Sequence, residues 1–170
     1  MLLRALTSVA ATLPVLTGAA AGQSASYSYF GTAGTVGCSP FSPAVTHAAT
    51  NLPRIGTTFT ASVPTSNGTC SYLCNLRLFA TGLSNTTFQG VALPHSIWGH
   101  CGQLRVSLDT VALMPMGATS SATVQSSLVI PNAPALAGTS FYQQSISLTY
   151  ILGGLNSVAW GRAGHGTIGY

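Results

Sequence analysis

Acidic residues are almost absent from this chain. Asp109 is the only one, and there is no Glu and no Lys. Charged residues make up 4% of the total, against roughly 25% in an average soluble domain. That shortage excludes whole classes of chemistry. A glycosidase normally needs two carboxylates flanking the scissile bond. An aspartic-protease dyad needs two as well, and a calcium site wants several charged oxygens. A Ser-His-Asp triad would have to use Asp109, which ends an apolar-alternating run just before Thr110, where a turn or cap role is the ordinary one. No Gly-x-Ser-x-Gly elbow occurs. No catalytic residue is assigned, and the chain is not expected to be an enzyme. Basic residues are sparse too: Arg4, Arg54, Arg77, Arg105 and Arg162 are scattered. Without a cluster there is no nucleic-acid footprint and no polybasic membrane patch.

What is present is neutral polarity. Ser, Thr, Asn and Gln supply it, and Val, Ile, Thr, Tyr and Phe recur throughout. Disordered chains are poor in aromatic and β-branched residues and rich in charge, so a folded, strand-rich domain is expected. With 170 residues the chain is long enough for one domain with a single core. Its surface should be covered by hydroxyls and amides.

Residues 1–22 read as a secretory signal. Arg4 gives a positive start. Ala5 to Leu16 is mostly apolar and too short for a bilayer span, which takes about 20 residues. Ala19, Ala20 and Ala21 offer small residues for cleavage. Residues 23–170 then form one domain, secreted or held at the extracellular surface, with no membrane span after cleavage. Cys38, Cys70, Cys74 and Cys101 are an even set, which in an exported chain points to two disulfides. Three pairings are open. Cys70 and Cys74 cannot bridge along one extended strand, where four steps separate them by about 13 Å, whereas a disulfide needs Cα atoms within about 7 Å. The turn-prone Ser66-Asn67-Gly68-Thr69 makes a looped 70–74 pair acceptable, and this favours 70–74 with 38–101. A zinc site is the rival reading, but Cys38 and Cys101 lack close partners.

Gly and Pro punctuate the chain, and strand-like alternation lies between them. Phe59, Ala61 and Val63 alternate with Thr58, Thr60 and Ser62. Leu76 and Leu78 follow Cys74. Leu104, Val106 and Leu108 alternate with Arg105, Ser107 and Asp109. Val124, Leu128 and Ile130 share a face with Ser126. Ile146, Leu148, Tyr150 and Leu152 alternate with Ser145, Ser147 and Thr149. Each run predicts a half-buried antiparallel strand with apolar side chains inward and hydroxyls outward. Residues 155–160 and 164–169 are shorter candidates. The stretch from Gly31 to Pro53 predicts loop plus a short edge strand. Packed in two layers, such strands make an all-β, disulfide-stapled antiparallel β-sandwich, jelly-roll-like in style.

Four histidines remain: His47, His95, His100 and His165. His95 and His100 flank Trp98 within one loop, but no third ligand lies near, so no metal and no cofactor is expected. Trp98 and Trp160 are candidate platforms for a sugar ring, with Tyr142 and Tyr150 as further options. The ordinary alternative is a packed indole. Asn67-Gly68-Thr69 and Asn85-Thr86-Thr87 are glycosylation sequons.

The C-terminal third carries a resemblance. Leu128-Val129-Ile130-Pro131-Asn132-Ala133-Pro134-Ala135-Leu136-Ala137-Gly138 is followed by Phe141-Tyr142-Gln143-Gln144, Asn156-Ser157 and Gly166-Thr167-Ile168-Gly169. Upstream stand Leu52-Pro53-Arg54-Ile55-Gly56-Thr57-Thr58-Phe59, Ala80-Thr81-Gly82-Leu83-Ser84 and Cys101-Gly102-Gln103-Leu104-Arg105-Val106-Ser107. Together these resemble a β-rich module of exported planctomycete proteins with no assigned function, over roughly residues 27–170. The resemblance implies a bridge between the early Cys38 and Cys101, with Cys70 and Cys74 as an addition. It brings no catalytic residues.

The functional expectation is a structural, self-assembling protein of the cell surface or a filament, partnered by itself or by other surface proteins. Edge Lys residues and like charge keep most β-proteins apart, and this chain has little of either. Strand donation by the residues after 22 is one expected route. The alternative is a non-catalytic carbohydrate- or polymer-binding module.

Overall fold

The computed structural model describes residues 22–32, 46–65, 73–96, 102–115 and 122–170. Ten strands run through them: β1 (Ser26–Phe30), β2 (Ala48–Ala49), β3 (Thr58–Pro64), β4 (Leu73–Gly82), β5 (Thr87–Phe88), β6 (Val91–Ala92), β7 (Thr110–Leu113), β8 (Thr123–Val129), β9 (Ser140–Ile151) and β10 (Gly154–Thr167). A single 3-10 turn, Pro134–Leu136, is the helical element among the described residues. No helix there is long and apolar enough to cross a membrane. The protein is all-β. A five-stranded sheet has the order β1-β10-β9-β4-β7, a three-stranded sheet the order β2-β3-β8, and β5-β6 form a small hairpin. Every strand pairing is antiparallel.

Alternation builds β3 as expected. Phe59, Ala61 and Val63 are all 0% exposed, because one face of a strand gathers every second side chain. They meet Phe79 of β4 and Phe141 of β9 in the first core cluster, with Tyr27, Val124 and Leu128 packed against it. Phe59 stacks on Tyr27 at 5.1 Å and meets Phe141 edge-on at 5.4 Å. The two larger sheets therefore pack face to face through these rings, an arrangement consistent with a β-sandwich. Gly164 and Gly166 leave bare backbone on β10 where the Tyr27 and Phe141 rings lie. A side chain at either position would collide with a ring.

A second cluster lies on the opposite face of the five-stranded sheet, since its members are the strand neighbours of the first. Ala80 follows Phe79, and Tyr142 follows Phe141. This cluster joins Ile146, Val158 and Trp160 to Leu104 and Val106. The large sheet is thus covered on both faces, by the small sheet on one side and by Phe88, Leu93, Leu104, Val106 and Leu108 on the other. That corrects the expectation of outward hydroxyls on β9. Ser145, Ser147 and Thr149 are each 0% exposed, and the Thr149 hydroxyl donates to Asn75 Oδ1 at 2.7 Å. The apolar face is covered as expected, but the hydroxyl face is covered too. Among neighbours in β4, likewise, Asn75 and Arg77 are buried while Leu76 and Leu78 are half-buried.

Three further differences have simple causes. Residues 104–109 form no strand, although Leu104 and Val106 are buried. Their backbone pairs locally, Leu104 with His95 and Ser107 with Ser84. The two short C-terminal candidates are one strand, β10, kept in register with β9 across a bulge between Trp160 and Ala163. The residues after 22 form β1, which pairs with β10 inside its own sheet and so is not a loose arm available for donation. The β9–β10 turn is two residues long, with Leu152 at φ +50° and Gly153 at φ +79°, the left-handed pair that suits strand twist.

Gln144 ties the bulge to the outer layer. It is 0% exposed. Its Nε2 donates to Gly161 O at 2.8 Å and to Gln103 O at 2.9 Å, and its Oε1 accepts from Arg105 N at 2.9 Å. Gln144→Leu keeps the bulk but strands three buried backbone groups. Each unsatisfied group costs roughly 1–3 kcal/mol, so chemical denaturation should show a loss of about 3 kcal/mol. A loss under about 1 kcal/mol would mean that water or relaxation satisfies these groups.

Candidate functional site

Several residues singled out in the sequence lie outside the described residues: Cys38, Cys70, Cys101, Trp98 and His100. The segment 1–21 lies outside as well. Cys74 has its backbone in β4, opposite Tyr150, so the disulfide framework stays an expectation. Trp160 is 4% exposed within the second cluster. A buried indole offers no face to a ligand, which corrects its reading as a platform. Tyr142 is already stacked on His165, with ring centroids 4.9 Å apart. Tyr150 is half-buried.

Asp109 has the local role that its position suggested. Its Oδ2 accepts from Leu83 N at 2.7 Å and from Ser107 Oγ at 2.8 Å. Ser107 Oγ in turn accepts from Ser84 N at 3.0 Å. The carboxylate fixes the turn that follows β4. Pairing of β10 with β9 brings His165 Nε2 to 2.9 Å from Ser140 Oγ, a pair the sequence reading did not foresee. The acid that a triad would need is committed at Leu83. Among the described residues no group of three or more His, Cys, Asp or Glu can hold a metal.

A second polar cluster sits in the interlayer. The Tyr27 hydroxyl donates to Gln143 Oε1 at 3.0 Å and lies 2.9 Å from His47 Nε2. Its single proton goes to Gln143, so His47 is the donor on the other side, and its Nδ1 carries the lone pair. Among the described residues that nitrogen is buried without a hydrogen-bond partner. Gln143 Nε2 reaches Thr81 Oγ1 at 3.3 Å. His47 is 5% exposed and packs edge-on against Phe79 at 5.1 Å. Burial pulls its pKa down to about 4 and, with Tyr29 nearby, pushes that of Tyr27 up. The cluster is neutral near pH 7. It is a tie between strands, not a proton relay.

Each sheet ends in two strands, β1 and β7 in the large one and β2 and β8 in the small one. Of these, β7 and β8 lie beside one groove. Hydrogen bonds from Thr65 N to Ala122 O and from Ile130 N to Thr57 O turn the backbone of the even-numbered β8 residues toward β3. Successive residues alternate, so Thr123, Gln125, Ser127 and Val129 aim their N–H and C=O groups at the open edge. All four are exposed. On β7, the bond from Met114 N to Arg77 O sets the same alternation and leaves Val111 and Leu113 facing outward, 47% and 63% exposed. Neither strand contains a charged residue or a proline.

An apolar groove runs between these edges. One cavity of about 190 Å³ is lined by Phe79, Ala112, Ser126 and Gln143. Another of about 300 Å³ is lined by Ile130, Leu136, Phe141 and Ile168. Both reach Thr81 and Leu128, so the first core cluster is open to solvent here. Val124 and Leu128 are accordingly half-buried, while their β3 neighbours are fully buried. Val129 and Leu83 stand exposed at its rim, at 73% and 71%.

A second depression, about 380 Å³, holds Tyr29, Thr50 and Asn51. Its polar groups are largely committed. Tyr29 Oη accepts from Ala49 N at 2.8 Å, and Asn51 bonds Thr58 O and Thr60 N at 2.8 and 2.7 Å. Arg162 covers the Tyr29 ring at 5.3 Å.

No family model, no curated protein and no solved structure matches this chain.

His47 makes a sharp pH prediction. Its pKa is about 4 when folded and about 6.5 when unfolded. Between those values the unfolded chain binds the extra proton, so stability is fully present above about pH 6.5 and falls as pH drops toward 4. The ceiling of the loss is about 3 kcal/mol. The groups facing His47 are Tyr27, Tyr29 and Phe79, with the Arg162 guanidinium beyond Tyr29. Urea midpoints measured from pH 7.5 to 3.5 should show this decline, and His47→Gln should flatten it. An unchanged slope in the variant would assign the titration elsewhere.

Proposed function

We infer that this is a non-catalytic, self-assembling structural protein of the cell exterior, a jelly-roll-like β-sandwich whose strand edges meet those of neighbouring copies. One observation carries the reading: two edge strands without charge, unpaired on their outer side among the described residues, flank an apolar groove that opens onto the core. Natural sheets protect such edges with Lys, Pro, bulges or covering loops, and β7 and β8 contain neither of the first two. Surface charge offers little opposition. Among the described residues the exposed ionic side chains are Arg54, Arg162 and Asp109. Export behind a cleaved 1–22 signal, with bridges 38–101 and 70–74, fits this role by placing a stapled fold outside the cell. Partners are further copies of the chain or other uncharged surface proteins.

The non-catalytic part rests on the carboxylate count and on the commitment of Asp109 to the Leu83 turn. Among the described residues, the polymer-binding alternative keeps one foothold, the Tyr29 depression, where Arg162 already occupies a ring face, while Trp98 lies outside them. A polysaccharide would have to displace it.

Sedimentation velocity over a wide concentration range tests the reading. Assemblies larger than one chain should grow with concentration. Raising salt from low levels to about 1 M, where the Debye length falls to about 3 Å, should leave them intact, because apolar contact and backbone bonds hold them. A single monomer species at high concentration and low salt would overturn it.

A further inference from the structure

We propose that two copies of this chain join through β8, antiparallel, about a twofold axis at Ser126. This rests on the self-assembly reading above and names its interface. Four residues, Thr123, Gln125, Ser127 and Val129, carry backbone groups on that edge that have no partner among the described residues. In antiparallel pairing each residue opposite its partner exchanges two hydrogen bonds. An axis at Ser126 sets Thr123 against the second copy's Val129, and Gln125 against its Ser127. All four free residues are then used, giving about eight backbone bonds.

The side chains select this register and this occupant. On the groove face the axis brings Val124 against Leu128 of the second copy and Ser126 against Ser126. On the outer face it brings amide against hydroxyl and methyl against methyl. The strand Thr-Val-Gln-Ser-Ser-Leu-Val is thus its own complement: apolar meets apolar and polar meets polar. Shifting the axis to Gln125 sets Val124 against Ser126, places Leu128 against Ala122 beyond the strand, and uses three of the four edge residues, since Val129 then has no partner within β8. Such matched pairs are the unit of sheet stability. No charge on either strand is desolvated. The two three-stranded sheets become one six-stranded sheet, and the two grooves meet at the axis, covering the half-buried Val124 and Leu128. β7 is the weaker candidate, with two free residues against four and Asp109 immediately before it.

The test is a cross-link. At a twofold of this kind the two Ser126 Cα atoms lie about 4.5 Å apart, within the range of about 4.4–6.8 Å that a disulfide accepts. Oxidised Ser126→Cys should run as a covalent dimer on non-reducing gels, above the background set by the unsubstituted chain. Val111→Cys on β7 should not. Gln125→Pro removes an N–H that points outward, so the fold keeps its ladder while association weakens by about tenfold or more. Gln125→Lys is the milder second variant, expected to act in the same direction with an unchanged melting temperature. If the unsubstituted chain assembles, yet Ser126→Cys does not cross-link and both Gln125 variants assemble normally, the β8 interface is wrong and self-assembly stands. If the unsubstituted chain remains monomeric throughout, both fall.

Discussion

Gln144 holds the large sheet and the outer layer in one register. Its amide fills the β10 bulge at Gly161 and reaches Gln103 and Arg105 in the outer layer. On the next residue of the same strand, Gln143 meets Tyr27 and Thr81 on the opposite face. Adjacent residues of a strand point to opposite faces, so a Gln-Gln pair can serve both interlayers at once. A charged side chain could not take this place. Gln144→Glu would set a carboxylate against two carbonyl oxygens, and Gln144→Lys would supply donors but nothing to accept from Arg105 N. Apart from the buried Arg77, most of the polar interior is neutral amides and hydroxyls, which can both give and receive.

That constraint explains the composition. In most domains charge sits on the surface and the interior is apolar. Here the central strand β9 is buried along Gln143, Gln144, Ser145, Ser147 and Thr149, and the sheet has cover on both sides. Burying a polar group is tolerable when it is hydrogen-bonded, and neighbouring strands bring their own hydroxyls and amides to meet it, as Asn75 does for Thr149. His47 belongs to the same scheme. Burial keeps it neutral, so it acts as one more amide-like donor toward Tyr27.

Much of the fold is legible from the residues. The alternation of Phe59, Ala61 and Val63 locates β3 and its buried face, and Val124 with Leu128 locates the inner face of β8. What alternation cannot say is how many layers cover a strand. Ser145, Ser147 and Thr149 read as solvent-facing because hydroxyls usually are, and only the three-layer packing turns them inward. The same limit hides the site. Tyr27 alternates with Ser26 and Ser28, but it lies close to the apolar N-terminal stretch, and its partners His47 and Gln143 are distant in sequence. The meeting of Ser140 with His165 follows from β9–β10 register, which a two-residue turn at Leu152 and Gly153 sets and composition does not reveal. Leu104 and Val106 are buried as their alternation implies, yet their backbone bonds lie outside any ladder. The open edges of β7 and β8 are invisible for a similar reason: an edge is defined by strand order, not by the strand.

The interior and the open edge are therefore made of the same material. The groove side of β8 presents Val124, Ser126 and Leu128, a mixture of apolar and hydroxyl groups like that on the buried face of β9. Covering it with another uncharged strand repeats a packing the fold already uses between its own sheets. A partner rich in charge would have to bring ions against Phe79, Leu128 and Phe141, where desolvation outweighs any attraction that a lone Asp109 or a distant Arg can return. The chain that best meets this requirement is one composed as this chain is, with neutral donors and acceptors in place of ions. Shortage of charge thus acts twice. Within one copy it leaves most buried hydrogen bonds to amides and hydroxyls, and in the proposed assembly it would favour a partner with the same chemistry.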